Sequence, residues 1–276
     1  MTINTSTQAW APNLISSFDA DDLVPEALIV RTASLAGTVE GDAPSVRVPY
    51  VSDDGDAAVV AEGGDITPDE PTPAEIVVET DKVSKLIKVS REQIKQAGAA
   101  ERLARSMARA VVAKADALYL HNASAPTGLL NTGSLATAGD LGGATGPDVF
   151  AAYDAVGAIE DDGGATTHVL INPVDWALLC KLPEIDGSAK SLLADVHDAS
   201  RRSLAGVPVI VSNHVTAGAA LMLDSSEVVA AYGQLELARS DDFYFGSDSV
   251  AIRLTFRLGW KVARVARLQK LTIAAA

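Results

Sequence analysis

Alternation of apolar and polar residues marks the C-terminal part of the chain. From Val250 to Val262 every second residue is apolar, and the residues between them are Ala, Arg, Thr, Arg, Gly and Lys. A period of two is typical of a strand with one buried face. The pattern therefore predicts a strand with one buried and one basic face. Apolar runs predict further strands at 46–50, 168–172, 206–213, 219–224 and 267–273.

A helical period begins at Ser90, which forms a capping-box signature with Gln93. Apolar residues at three- and four-residue steps predict the buried face of a long helix: Ala97, Ala100, Ala104, Met107, Val111, Ala115 and Leu118. Basic residues recur on the opposite face: Arg91, Lys95, Arg102, Arg105 and Arg109. Such a stripe is interpreted either as a solvated face or as a docking surface for an acidic segment.

Helices and strands alternate from about residue 147 onward. The apolar spacing predicts a helix over 148–161, and Asn172 followed by Pro173 is typical of a helix start. This part of the chain is therefore expected to be an α/β unit, with a loop and some helix at 183–203. Residues 1–40 are weakly patterned, and we expect an arm with a short helix and no core strand.

The stretch from Val51 to Asp81 contains ten acidic residues and no Lys or Arg. Its middle is rich in Gly and Pro, and its ends have strand character. Extended loops of this length are uncommon in compact domains and are usually functional or bound to a partner. We expect a long acidic loop that contacts something outside its own domain.

Composition limits the class of protein. The 276 residues are 48% hydrophobic and 21% charged, which is typical of a packed globular protein. A net charge of −14 argues against a dedicated nucleic-acid binder. The single cysteine, Cys180, excludes an internal disulfide. Neither a secretory signal nor an apolar run long enough for a membrane helix is present, so we expect a soluble protein made inside the cell.

The sequence predicts no catalytic residue, cofactor site or metal site. Its histidines lie far apart, at His121, His168, His197 and His214, without metal-ligand spacing. Nucleotide-binding glycine motifs and a GxSxG elbow are also lacking. The loop HNASAPTGLLNTG, at 121–133, has its glycines after a helix. A phosphate cradle has them before one, so this loop is predicted to be a turn.

The order of these elements resembles that of tailed-bacteriophage major capsid proteins. A long helix runs into PTGLLN, and a strand ending in NP, the run LAGVPVIVSN, ALMLD and a basic C-terminal strand follow. The resemblance covers about residues 30–273 and implies the Hong Kong ninety-seven fold, which encapsulins share. The implied architecture is α+β, with an N-terminal arm (1–43), an extended β-hairpin loop (44–84), a peripheral domain with a long spine helix (85–144), an axial α/β domain (145–238) and C-terminal peripheral strands (239–276).

The resemblance implies a major capsid protein that is not an enzyme. It would self-assemble as pentamers and hexamers, in the bacterial cytoplasm, into an icosahedral shell around double-stranded DNA that it encloses without reading its sequence. Implied partners are a separate scaffolding protein, favoured by a start at Met1, a portal and a decoration protein. An encapsulin-like nanocompartment and an α/β enzyme with an acidic lid are the alternatives.

Charge complementarity suggests where neighbouring copies would touch. The acidic candidates are Asp53, Asp54, Asp56, Glu62, Asp65, Asp69 and Glu70. The basic candidates are Arg91, Lys95, Arg102, Arg105, Arg109, Arg253, Arg257 and Lys261. Some similar capsid proteins join a loop lysine covalently to an asparagine of a neighbour. Since residues 51–81 contain no lysine, we expect no such bond here.

Overall fold

The computed structural model describes residues 16–18, 27–39, 43–53, 59–60, 63, 65, 72–94, 99–141, 149–182, 193 and 202–273. Most of the predicted arm, most of residues 54–71 of the acidic loop and nearly all of the predicted loop at 183–203 lie outside these residues. The described helices are α1 Leu28–Thr32, α2 Arg91–Ile94, α3 Ala99–His121, α4 Phe150–Asp161 and α5 Pro173–Cys180. Short 3₁₀ helices occur at Leu129–Asn131, Ser225–Glu227, Phe245–Ser247 and Val265–Arg267.

Two sheets contain the described strands. The strands are β1 Ser16–Phe18, β2 Ser34–Thr38, β3 Ser45–Asp53, β4 Thr72–Ser90, β5 Ala136–Leu141, β6 His168–Ile171, β7 Ser203–Leu204, β8 Val207–Val211, β9 Ala219–Leu223, β10 Val228–Tyr232, β11 Leu235–Tyr244, β12 Ser249–Val262 and β13 Leu268–Ile273. Mixed sheets with a few helices confirm the α+β class.

The first sheet is centred on β12, the strand predicted from the C-terminal alternation. On one side of β12, β10 and β11 follow each other along its length, and β2 and β1 pair with their outer edges. On the other side, residues 80–90 of β4 pair antiparallel with residues 249–259. The inner side chains of β12, such as Ile252 and Phe256, are buried against α3, as the alternation predicted.

The first half of β4 leaves β12 and forms a hairpin with β3. The register runs from Ser45 opposite Glu79 to Asp53 opposite Thr72. At the root of this hairpin, Ile76 and Val78 pack in a small cluster that includes residues of β10. Strands β4 and β12 come very close together at the point where β4 leaves β12. A Cβ on Gly259 would there overlap the carbonyl oxygen of Glu79. Glycine is therefore required at that position.

The second sheet has the order β5-β13-β9-β6-β8-β7. Alternate residues of its central strands point to opposite faces. Leu170 and Leu221 belong to the cluster shared with α3, whereas Val169 and Met222 belong to the cluster shared with α4 and α5. Both faces of this sheet are thus covered within the chain.

Helix α3 lies against both sheets. Its residues Met107, Val111 and Ala115 are buried in the large cluster, as the helical period predicted. Tyr119, near its end, packs edge-on against Trp260, with ring centroids 5.3 Å apart. The Trp260 indole N–H donates to the Thr127 carbonyl oxygen at 2.7 Å, which fixes the turn after α3 to the first sheet.

Several local predictions are confirmed. The Ser90 hydroxyl accepts a hydrogen bond from the Gln93 amide at 3.2 Å, and the Gln93 side chain accepts one from the Ser90 amide at 3.4 Å. This capping box opens α2; the predicted long helix is described in two parts, α2 and α3, with 95–98 outside the described residues. The Asn172 side chain caps α5 by accepting the Val174 amide at 2.9 Å.

The short helix expected within residues 1–40 is confirmed as α1, and the two strands described there, β1 and β2, stand at the ends of the strand order of the first sheet, with β2 largely exposed. Strands β1 and β2 pair with the first sheet, and α1 places Leu28 and Ile29 in the core. The Leu28 amide donates to a carboxylate oxygen of Asp116 in α3 at 2.8 Å. These strands were missed because they are short and are held by backbone pairing with a neighbour, so they need no alternation of their own.

The predicted domain limits do not coincide with the limits of the sheets. Strand β10 lies within the predicted axial range of 145–238 and belongs to the first sheet. Strands β5 and β13 lie outside that range and belong to the second sheet. The chain crosses between the sheets near residues 224–228 and 262–268.

Candidate functional site

Two of the acidic candidates, Asp53 and Asp65, are among the described residues. Asp53 ends β3, and Asp65 is exposed. The others, Asp54, Asp56, Glu62, Asp69 and Glu70, lie outside the described residues, as does the basic candidate Lys95. Because Asp53 is opposite Thr72, the segment between them is tethered at both ends to the hairpin tip.

The hairpin root is connected to both sheets by polar contacts. The Arg264 Nε–H donates to the Tyr50 hydroxyl at 2.9 Å, and its guanidinium lies 3.8 Å from a Glu227 carboxylate oxygen. Arg267 binds the same Glu227 oxygen at 2.6 Å and the Asp162 carboxylate at 3.1 Å. These contacts join the hairpin to α4 and to the two segments, 224–228 and 262–268, in which the chain crosses between the sheets. Sequence reasoning missed them, because the residues involved are far apart in the sequence.

The basic residues of α3 form an exposed stripe. Arg102, Arg105 and Arg109 are exposed, and the buried residues Met107 and Val111 point to the other side of the helix. We call these three arginines the arginine stripe. Because the buried side of α3 packs on the first sheet, the stripe faces away from that sheet.

The outer side of the first sheet is only partly the basic face predicted from β12. Arg253 and Lys261 are exposed. Arg257 is half-buried and donates to the Thr80 hydroxyl at 3.1 Å. Ala251 and Thr255, on the same side of the strand, are buried. The basic residues predicted for this face are thus its more exposed positions, and the smaller residues between them are buried.

Strand β4 adds residues to this side that sequence reasoning did not single out. The register places Lys82 opposite Arg257, Leu86 opposite Arg253 and Lys88 opposite Ala251. The Lys88 ammonium lies 5.0 Å from the centroid of the Tyr244 ring. We call Lys82, Leu86, Lys88 and Arg253 the open face. The alternation of KVSKLIKVS, at 82–90, was the available sequence signal for these residues. It does not reveal that β12 is the strand beside them.

Arg91, another predicted contact residue, already has partners within the chain. Its guanidinium lies 3.0 Å from the Asp248 carboxylate and donates to the Asp241 carbonyl oxygen at 3.4 Å. These contacts pin the start of α2 to the end of the β11–β12 hairpin. Arg91 and Arg257 therefore contribute to the fold of a single chain.

Several titratable groups have a pKa that the fold shifts from its ordinary value. Burial raises the pKa of Asp116 to about 6, although the Leu28 amide and Arg31 act to lower it. Burial also raises the pKa of the Tyr119 hydroxyl, which shares a hydrogen bond of 3.0 Å with Thr32. Burial lowers the pKa of His168, and Arg31 adds to this effect. The hydrogen bonds of Asp116 with Leu28 and of Tyr119 with Thr32 fix α1 against α3.

The described residues offer no assembled catalytic or metal centre. No group of three or more His, Cys, Asp or Glu among them could hold a metal ion. His121 contacts the His214 carbonyl oxygen at 2.8 Å, and Asp175 accepts the Gly218 amide at 2.7 Å. Burial raises the pKa of the Cys180 thiol, which disfavours the reactive thiolate. Within the described part of the chain, no helix is long and apolar enough to cross a membrane.

The turn at 121–133 is confirmed. The Gly128 amide donates to the Asn122 carbonyl oxygen at 2.9 Å, and the Asn131 side chain donates to the His121 carbonyl oxygen at 2.8 Å. These bonds satisfy carbonyl groups at the end of α3. A Cβ at Gly128 would lie 2.5 Å from the Asn122 nitrogen, so the return of the chain requires glycine. The loop ends a helix and returns the chain toward the first sheet.

Comparison with known proteins identifies the family. The model of the phage capsid family matches residues 28–273. Because this match covers most of the chain, the protein belongs to the phage capsid family. It is a capsid structural protein, in agreement with the resemblance found in the sequence.

Solved structures share the fold at low sequence identity. A chain from Mycobacterium phage Adephagia is 16% identical with a TM-score of 0.71, covering 100% of this chain and 99% of that one. The capsid of an empty GTA particle is 20% identical with a TM-score of 0.70, covering 90% of each chain. A chain from Gordonia phage Cozz is 18% identical with a TM-score of 0.69, covering 100% and 91%. No curated protein sequence matches the chain.

Proposed function

We propose that the protein is the major capsid subunit of a tailed phage and assembles as pentamers and hexamers into an icosahedral shell around double-stranded DNA. The observation that carries this proposal is the phage capsid family match over residues 28–273. Assembly would take place in the host cytoplasm. A separate scaffolding protein, a portal and a decoration protein complete the proposed set of partners.

The distribution of charge supports contact between copies. Acidic residues are concentrated in the sequence between Asp53 and Thr72, the paired ends of a hairpin, whereas exposed basic residues lie on α3 and on β12. A contact between different surfaces of identical chains is heterologous, and repetition of it closes a ring when the rotation is suitable. Such charge pairing fixes orientation and register more than it adds affinity. The enclosed DNA requires no sequence-specific binding surface.

The proposed basic contacts include the exposed arginine stripe, Arg253 and Lys261. Arg91 and Arg257 also make contacts within their own chain. The acidic partners in the proposal are those in the sequence from Asp53 to Glu70, between the paired ends of the hairpin.

Negative-stain electron microscopy of the expressed protein tests the shell, alone and with the products of neighbouring reading frames. We expect closed icosahedral particles or rings of five and six subunits. DNA protected from nuclease inside native particles would distinguish a virion from an encapsulin-like compartment. A chain that remains monomeric under all of these conditions would contradict the proposed assembly.

Denaturing electrophoresis of purified particles tests the proposed absence of covalent links. Because residues 51–81 contain no lysine, boiled particles should release single chains of 28.5 kDa. Covalent ladders in reducing gels would show that another residue supplies a cross-link.

A further inference from the structure

A cleft opens in the first sheet at the point where β4 leaves β12. The two strands pair as far as Thr80 opposite Gly259, and the other half of β4 belongs to the hairpin with β3. The cleft has a volume of about 330 Å³, which lies within the range of ligand pockets. We call it the edge cleft, and its walls include Val77 and Glu79 of β4, Trp260 and Val262 of β12, and Thr127 and Gly133 of the turn after α3.

The end of β12 offers an unpaired strand edge to the edge cleft. The Ala263 amide donates to the Glu227 carbonyl oxygen at 2.8 Å, on the β10 side of the strand. Because the backbone groups of successive strand residues point to opposite edges, the N–H and C=O of Val262 point to the other edge. That edge is paired with β4 only up to Gly259. Among the described residues, the N–H and C=O of Val262 therefore have no backbone partner.

The root of β4 offers a second edge in the same way. The Thr80 amide donates to the Pro44 carbonyl oxygen at 3.0 Å, on the β3 side. Val77 lies an odd number of residues away, so its N–H and C=O point away from β3. No described strand pairs with them there, because β12 pairs with β4 only from Thr80 onward. Unpaired strand edges are templates for the addition of another strand.

Side chains around the edge cleft combine an apolar wall with two opposite charges. Val77, Pro126 and Val262 form the apolar part. Glu79 and Lys261 are exposed, and neither has an ion-pair partner among the described residues. This arrangement is complementary to a segment that has apolar residues between a cation and an anion.

We propose that the edge cleft binds an extended segment of a separate protein, which pairs as a short strand with the edge of β12 at Val262. Main-chain hydrogen bonds give such an added strand its affinity, and side-chain contacts give it specificity. The segment carries apolar residues that pack on Val77 and Pro126, with a basic residue near Glu79 and an acidic residue near Lys261. The described strands of a second copy are already held in its own sheets, so a separate protein supplies the segment.

Hydrogen exchange of the unassembled subunit tests the site without reference to the proposed shell. The probe is the capped pentapeptide Lys-Val-Thr-Val-Glu, and nuclear magnetic resonance follows the backbone amides. We expect saturating peptide to slow exchange of the Val262 amide about tenfold or more, since this amide then donates to the bound strand. A peptide that does not bind saturably, or that binds without slowing this amide, would overturn the proposal.

A second peptide separates strand pairing from contact between side chains. It has the same side chains, but the backbone nitrogens of its two valines are methylated and cannot donate. We expect it to bind about tenfold more weakly or worse, because the added strand loses main-chain hydrogen bonds. Equal affinities of the two peptides would contradict pairing at the strand edge.

A variant that fills the edge cleft locates the binding. A Cβ on Gly133 would meet no atom within 4 Å, so Gly133→Phe adds a ring at the cleft without displacing its neighbours. We expect this variant to bind the first peptide about tenfold more weakly or worse. Gly157→Phe on α4, where a Cβ is equally free, is the matched control and should bind like the parent. Circular dichroism verifies that both variants fold, and equal affinities of the two variants would place the peptide elsewhere.

Particles that contain only this chain identify the source of the segment. We expect the Val262 amide to exchange as fast in such particles as in the free subunit, and to be slowed by the added peptide. Slow exchange before any peptide is added would mean that a second copy fills the edge cleft, which would overturn the assignment to a separate protein. Failure to form particles would count against the shell alone, so the two failures are distinguishable.

Discussion

The two sheets of the protein differ in how they are covered. In the second sheet, every residue of β9 is buried, because α3 packs on one face and α4 and α5 pack on the other. In the first sheet, the side of β4 and β12 that faces α3 is buried, whereas the other side exposes Leu86 and Arg253. The second sheet is completed within one chain. Among the described residues, the first sheet is covered on the side of α3 and leaves part of its other side exposed.

Breaking the contact between Arg267 and Glu227, which lie near the crossings between the two sheets, is expected to give the largest loss of stability. Arg267→Ala removes the 2.6 Å contact with Glu227 and leaves that carboxylate nearly buried, with Arg264 at 3.8 Å. Loss of one partner from a buried ion pair costs about 3–5 kcal/mol. Urea unfolding of unassembled subunits measures this change.

The exposed pair of Arg47 and Glu75 in the hairpin is the control for this prediction. Its nitrogen and oxygen atoms are 3.3 Å apart, but both side chains are largely in solvent. Arg47→Ala should therefore change the free energy of unfolding by less than about 1 kcal/mol. Equal effects of Arg267→Ala and Arg47→Ala would show that the contact between Arg267 and Glu227 does not connect the sheets strongly.

Residues with strong periodicity were predictable from the sequence, and those that depend on a distant partner were not. The alternation of β12 and the helical spacing around Met107 predicted buried faces that the structure confirms. Strand β2 was missed because its pairing with β10 is made by the backbone. The open face was missed because it requires the register of Leu86 against Arg253, two residues separated by most of the chain.

Replacing Leu221 in the second sheet should lower the free energy of unfolding far more than replacing Leu86 in the open face. Leu221 is fully buried between α3 and its neighbours in the sheet. Leu221→Ala leaves a cavity and should lower the free energy of unfolding by about 3 kcal/mol, within the range for buried leucines. Urea unfolding gives the value. A change below about 1 kcal/mol would mean that the sheet repacks around the missing atoms.

Asp116 provides a pH-dependent test of the attachment of α1 to α3. Its folded pKa is raised to about 6 from 3.8, so the folded chain holds this proton more tightly than the unfolded chain. The resulting stabilisation is complete below about pH 4 and is lost as the pH rises through 6. Asp116→Asn does not titrate, and its amide oxygen can still accept the Leu28 amide.

The Asp116→Asn variant should therefore be the more stable protein at pH 8, by on the order of 2 kcal/mol. At pH 4 its stability should be close to that of the parent. Unfolding midpoints measured across this range give the difference directly. A difference that does not vary with pH would show that the Asp116 carboxyl is not the group that titrates.

The smallest effect on the free subunit is expected at the centre of the open face. Because Leu86 is half exposed in the single chain, Leu86→Ala should change the free energy of unfolding by no more than about 0.5 kcal/mol. We expect a larger effect on assembly, since burial of an exposed leucine by a neighbouring copy would remove apolar surface from water. Light scattering should show slower assembly of Leu86→Ala, whereas exposed Val174→Ala, on α5, should assemble at the parental rate. Equal rates for the two variants would mean that Leu86 stays exposed in the shell, and the difference between the two sheets would then have no role in assembly.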